Sequence, residues 1–174
     1  MTTAASWLSK ENWNRVREQF FSGGDALAVL ESRTASVDRT AGEAFARSLL
    51  PAAPEGLTLV AVGGFGRRHL FPYSDVDLLL LFEKQHVAER QRAAISRFLQ
   101  ELWDAGLRVS HSVRTPADCA ELHERNIELN ISLLDQRYLA GDRGLYAKFA
   151  IALERFYHAQ RQPLARHLCR MARA

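Results

Sequence analysis

VAVGGFGRRHLFPYSDVDLLLLF, residues Val60 to Phe82, sets two almost wholly apolar runs on either side of a loop. That loop contains Gly63, Gly64, two arginines and the tetrapeptide Ser74-Asp75-Val76-Asp77. Apolar runs without polar alternation suit strands covered on both faces. Leu57 to Val62 is therefore predicted as the first strand and Val76 to Phe82 as the second. Side chains alternate across a strand, so Asp75 and Asp77 share one face while Val76 takes the other. Two carboxylates about 4 Å apart repel by about 4 kcal/mol at an effective dielectric of 20. Without a cation one of them is partly neutralised. A divalent metal removes the conflict, and clustered carboxylate oxygens are what Mg²⁺ prefers. The competing reading makes Asp75 a turn cap and leaves Asp77 in solvent at the strand start.

The glycines upstream favour the first reading. Gly63 and Gly64 directly follow a buried strand, where the lack of a side chain lets a phosphate approach main-chain N–H groups. A short helix predicted from Phe65 to Leu70 offers its N-terminal dipole to the same anion. Arg67 and Arg68 are candidate phosphate contacts or simply solvated. The loop is no Walker A motif, since no Gly-Lys-Ser/Thr follows, and GGFGRRH lacks the third glycine of a dinucleotide fingerprint.

Outward from this centre the chain is helical. Trp13, Val16, Phe20 and Phe21 give a helix from Lys10 to Phe21, stopped by Gly23-Gly24. A second is predicted from Asp25 to Leu50; its polar stretch ESRTASVDRT predicts a long solvent-exposed face. PAAPEG, residues Pro51 to Gly56, breaks it. After the second strand a helix from Val87 to Ala105 turns Ala94, Ile95, Phe98, Leu99 and Leu102 inward. Leu107 to Val113 alternates and reads as a third, edge-like strand. Thr115 is an N-cap with Pro116 in the first turn of a helix running to Arg125. Ile127, Ile131, Leu134 and Tyr138 predict a helix from Ile127 to Ala140, and a last helix runs from Leu145 to the C-terminus across Pro163. Trp7, Trp13, Trp103 and Tyr138 read as core. The fold class is α/β (α+β), a small mixed sheet with flanking helices. Residues 1–56 form an N-terminal helical segment, 57–142 the core and 143–174 a C-terminal helical segment of one compact domain.

Composition narrows the function classes. The 174 residues carry 47% apolar and 25% charged side chains and a net charge of +3, values of an ordinary globular protein. From Ile151 onward five arginines stand against Glu154 alone. At their helical spacings they read as a solvated face rather than a nucleic-acid surface. Cys119 and Cys169 are far apart, in no metal-like spacing, and suit a reducing compartment. No apolar run approaches the roughly 18 residues of a membrane span, and the N-terminus lacks a signal pattern. The sequence reads as cytoplasmic, with no membrane partner.

A strand, Gly-Gly, then about ten residues to an Asp-hydrophobic-Asp resembles the nucleotidyltransferase superfamily related to DNA polymerase β. The closer resemblance is to the N-terminal domain of the bifunctional uridylyltransferase/uridylyl-removing enzymes that modify the nitrogen-regulatory protein P-II. It rests on Val60 to Phe82, on LWDAGLRVSHSVRT (Leu102 to Thr115) and on NISLLDQRYLAGD (Asn130 to Asp142), in that order. The resemblance implies that Asp75 and Asp77 hold Mg²⁺, that Gly63 and Gly64 cradle the triphosphate, and that Ser74 is an extra oxygen donor. It implies UTP, or another nucleoside triphosphate, as donor and a tyrosine of P-II as acceptor. The superfamily often draws a third carboxylate from the next strand, but Ser110 and His111 stand there. Asp135 is a substitute metal ligand or a helix-surface pairing residue. Arg114 is a phosphate contact or a solvated strand end, and His111 a general base or a structural histidine. None of the six histidines precedes an aspartate, so the His-Asp hydrolase site that removes uridylyl groups is not expected here. The alternatives are a weak or inactive nucleotide-binding or interaction module of the same fold, and an adenylyltransferase of other specificity.

Overall fold

The computed structural model describes residues 10–122 and 127–171. Its centre is a four-stranded mixed sheet of order β3-β2-β1-β4. β1 (Leu57–Ala61) runs antiparallel to β2 (Val76–Phe82) on one side and to β4 (Arg137–Gly141) on the other. β3 (Val109–Arg114) lies parallel to β2 at the outer edge. The apolar runs that mark β1 and β2 put them in the middle, where both faces are covered.

Alternation along these strands sorts the core into two layers. Leu57, Leu59, Ala61, Leu78, Leu80 and Phe82 pack beneath two helices, α2 (Ala26–Ser48) through Val37, Ala41 and Phe45, and α5 (Arg92–Asp104) through Phe98 and Leu102. Val60, Val62, Leu79 and Leu81 face the other way, onto Leu145, Phe149 and Leu153 of α8 (Arg143–Met171) and onto Cys119 and Leu133. The remaining helices are short apart from α1 (Lys10–Gly23): α3 (Gly63–Gly66), α4 (Gln85–Arg90), α6 (Pro116–Cys119) and α7 (Ile127–Ser132).

Several sequence expectations need correction. The helix predicted from Ile127 to Ala140 ends in a single 3₁₀ turn at Leu133–Asp135, and the chain then enters β4. The spacing of Ile131, Leu134 and Tyr138 satisfies a helix, but β1 is buried, and a buried strand needs hydrogen-bond partners along both edges. Arg137 to Gly141 supplies the second edge. Tyr138 is thereby half-buried on a strand, its hydroxyl donating to the carbonyl of Gly141 at 2.9 Å. The helix predicted over Val87–Ala105 is two helices broken at Gln91, whose side-chain amide donates to the carbonyl of Ala52. Trp103 is 48% exposed, one position off the stripe that α5 buries. Trp7 and the side chain of Trp13 lie outside the described residues. α6 stops at Cys119, although Thr115 caps it as predicted, exchanging hydrogen bonds with Asp118. The polar stretch of α2 has the expected exposed face in Glu31, Ser32, Ala35 and Arg39, while Thr34 and Val37 on its other side are buried. The turn after β1 becomes helical at Gly63, two residues before the predicted Phe65.

Candidate active site

β1 ends at Ala61, Val62 stays extended, and the chain reverses at Gly63 with φ +59. L-residues with a Cβ rarely adopt that conformation. A Cβ built on Gly63 would lie 3.4 Å from Oδ2 of Asp77, so the glycine turn and the second aspartate meet directly. The backbone N–H of Val62 donates to the carbonyl of Asp77 at 3.1 Å, which fixes this approach through the main chain.

Asp77 sits opposite Ser110 in the parallel β2/β3 register, and the serine side chain hydrogen-bonds to it. Burial raises the pKa of Asp77 above the usual carboxylate range, and the charge of Asp75 adds to the rise. The Ser110 hydrogen bond offsets part of it. The electrostatic conflict anticipated for the pair is thus present. Asp75 is more exposed and accepts an ion pair from Nε of Arg108 at 3.1 Å.

The face of β3 that carries Ser110 also presents Ser112 and Arg114, alternate residues that continue away from Asp77. With Glu128, Leu129 and Ser132 of α7 they wall a cleft of about 350 Å³ that has Asp77 and Val62 at one end. Nε of Arg114 is buried without a hydrogen-bond partner. His111 borders the cleft too, and desolvation lowers its pKa below the ordinary value.

The sequence candidates therefore separate. Asp77 and Arg114 line one cleft, with Gly63 against Asp77 and Asp75 close enough to perturb it. Arg67 makes an ion pair with Asp135, which lies on the 3₁₀ turn behind the glycines. Arg68 adopts φ +66 and has an exposed side chain, as does Ser74. Neither they, nor Asp135, nor Gly64 line the cleft. Among the described residues no group of three or more His, Cys, Asp or Glu side chains is placed to hold a metal. Ser112, Glu128 and Ser132 were not singled out from the sequence. The alternation of Ser110, Ser112 and Arg114, in register with Asp77, was the signal available for the β3 wall.

The mixed sheet between helices, with an aspartate pair against a glycine turn, is an α+β fold of the nucleotidyltransferase type. No family model matches the chain. It is 38% identical over 137 residues to the bifunctional uridylyltransferase/uridylyl-removing enzyme of Methylococcus capsulatus, an alignment covering 79% of this chain and 15% of the relative. The enzyme of that name from Nitrosococcus oceani is 35% identical over 159 residues, 90% of this chain and 18% of the relative. That from Pseudomonas entomophila is 40% identical over 129 residues, 74% and 14%. Over most of its own length the chain is homologous to a part of the bifunctional uridylyltransferase/uridylyl-removing enzymes. It spans less than a fifth of the length of these relatives. Among the described residues no helix is long and apolar enough to cross a membrane.

Proposed function

We propose that this chain performs Mg²⁺-dependent nucleotidyl transfer, moving UMP from UTP to a tyrosine hydroxyl of P-II and releasing pyrophosphate. The observation that carries the reading is the contact of Asp77 with the Gly63 turn at a polar cleft, with Asp75 close enough to perturb it. The donor set suits Mg²⁺: two neighbouring carboxylates, one half-buried and penalised for its charge, with other coordination positions left to water and phosphate oxygens. Asp75 and Asp77 would hold the ion, which when bound neutralises and orients the triphosphate.

The chain's own residues act by position. Gly63 and Gly64 open the first turn of α3, whose leading N–H groups have no partner within the helix and suit phosphate oxygens. Ser110 orients the Asp77 carboxylate. Arg114 lines the cleft and its guanidinium serves as a phosphate contact there. Ser74, Arg67 and Arg68 flank the turn as further polar contacts. Asp135 commits its Oδ2 to Nη1 of Arg67, which argues for a two-carboxylate site.

Transfer of labelled UMP to purified P-II in the presence of Mg²⁺ tests the proposal. Asp75→Asn with Asp77→Asn abolishes it; transfer undiminished in that double variant rejects the assignment. A second reading, a nucleotide-binding module without turnover, is favoured by the lack of a third carboxylate among the described residues and by the Asp75–Arg108 pair. Pyrophosphate release would eliminate it. Comparing thermal stabilisation by UTP, ATP, CTP and GTP separates uridylyl from adenylyl transfer.

A further inference from the structure

The segment from Gly63 to Asp75 is held by side chains that lie outside the two strands it joins. The hydroxyl of Thr34 in α2 is shared between the carbonyls of Leu30 at 2.8 Å and Arg68 at 3.0 Å, the latter where the chain takes its positive φ. Arg33 donates to the carbonyl of Pro72 at 3.0 Å. The most extensive contact comes from Arg137, the first residue of β4. One edge of its guanidinium meets both carboxylate oxygens of Asp38 at 2.9 and 2.9 Å. Nε reaches the carbonyl of Gly66 at 3.3 Å and Nη2 that of Phe65 at 3.2 Å. The cation lies 5.4 Å from the centre of the Phe65 ring.

Those two carbonyls belong to the last residues of α3, the end opposite the Gly63 turn. Only a guanidinium presents enough donors in one plane to serve a carboxylate and two carbonyls together; an ammonium on a flexible stem does not. The pair is largely shielded, with side chains 19% and 22% exposed, so its geometry is little loosened by solvent. We infer that Arg137, aligned by Asp38, is a positioning residue for nucleotide binding. It fixes the glycine turn in contact with Asp77, so that the turn's N–H groups and the carboxylate are held together beside the proposed phosphate site. The inference rests on the proposed nucleotide site and adds its supporting shell. A turn loosened by even about 1 Å loses binding energy out of proportion to the contact removed.

The test is calorimetric titration of the 174-residue chain with UTP and Mg²⁺. Arg137→Lys keeps the charge and loses the fork, and lowers UTP affinity about tenfold. Asp38→Asn, which frees the guanidinium to rotate, lowers it about threefold. Phe82→Leu is the control. It cuts a buried ring at the end of β2 remote from Asp77, lowers the melting temperature, and leaves affinity within about twofold of wild type. A folded Arg137→Lys protein with wild-type affinity overturns the inference and confines Arg137 to stability. If Arg137→Lys does not fold, unchanged affinity in Asp38→Asn has the same force. A wild-type chain that binds no nucleotide overturns the proposed function itself, and the inference with it.

Discussion

Two glycines one residue apart in the same turn should respond to alanine in opposite ways. A Cβ on Gly66 would lie 1.6 Å from the carbonyl oxygen of Asp135, 2.7 Å from its carbon and 3.2 Å from the oxygen of Ala61, all main-chain atoms. To restore even a 3.0 Å contact, α3 and the 3₁₀ turn must separate by 3.0 − 1.6 = 1.4 Å. That displacement also strains the Arg137 bond to the Gly66 carbonyl. Overpacking of this kind typically costs about 1–3 kcal/mol and occasionally more. With backbone on both sides the upper end applies, so Gly66→Ala loses about 3 kcal/mol. At about 2–4 °C per kcal/mol for a chain of this size, the melting temperature falls by about 6–12 °C. Gly64 differs: its nearest neighbour to a built Cβ is the His69 carbonyl at 3.6 Å, and its φ is not positive. Gly64→Ala leaves stability unchanged or raises it by up to about 1 kcal/mol through helix propensity. Under the proposed phosphate contact at the N–H groups of this turn, the added methyl group also weakens UTP binding. Differential scanning calorimetry with nucleotide titration reads both effects. A Gly66→Ala protein melting within about 2 °C of wild type would refute the packing argument.

Other perturbations separate charge from packing. Burial and Asp75 raise the pKa of Asp77, so between its unfolded and folded values the native state binds more protons than the unfolded one. Its contribution to stability is therefore lost as pH rises through that window. Asp77→Asn raises the melting temperature of the metal-free protein at neutral pH and flattens this decline, while nucleotide binding with Mg²⁺ is lost. Asp142 behaves oppositely: the N–H of Leu145 at the start of α8, then that of Gly56, hold its carboxyl below the usual range. That stability is present at neutral pH and is lost as pH falls through the lowered value. Asp142→Ala costs about 1 kcal/mol as a lost helix cap, visible in urea unfolding at pH 7 and shrinking as acid protonates the carboxyl. Arg114→Met keeps most of the stem's packing and removes the guanidinium from the cleft wall, so UTP affinity drops with little change in melting temperature.

What the sequence made legible was whatever depends on local pattern. Val76 to Phe82 is a strand end to end, and the Thr115 cap and the edge position of β3 follow from short-range signals. The meeting of Gly63 with Asp77 follows from alternation plus a tight turn. β4 escaped because its residues satisfy a helical spacing, and the demand that makes them a strand comes from the far edge of β1. The work of α2 escaped for a related reason. Arg33, Thr34 and Asp38 look like a solvated face, yet their partners lie at Pro72, Arg68 and Arg137, 39, 34 and 99 positions away. Polar contacts of such range leave no periodic trace.

Those separations bear on the order in which the molecule assembles. Segments near in sequence close first, because the entropy of closing a loop grows with its length and non-local contacts reward it only late. The β1–turn–β2 hairpin is local, but the guanidinium that grips the turn arrives with β4, some seventy residues downstream. A nascent chain cut short of Arg137 would carry both aspartates and both glycines and still present an unclasped turn. Competence to hold a triphosphate would then appear abruptly, when the last strand zips onto β1.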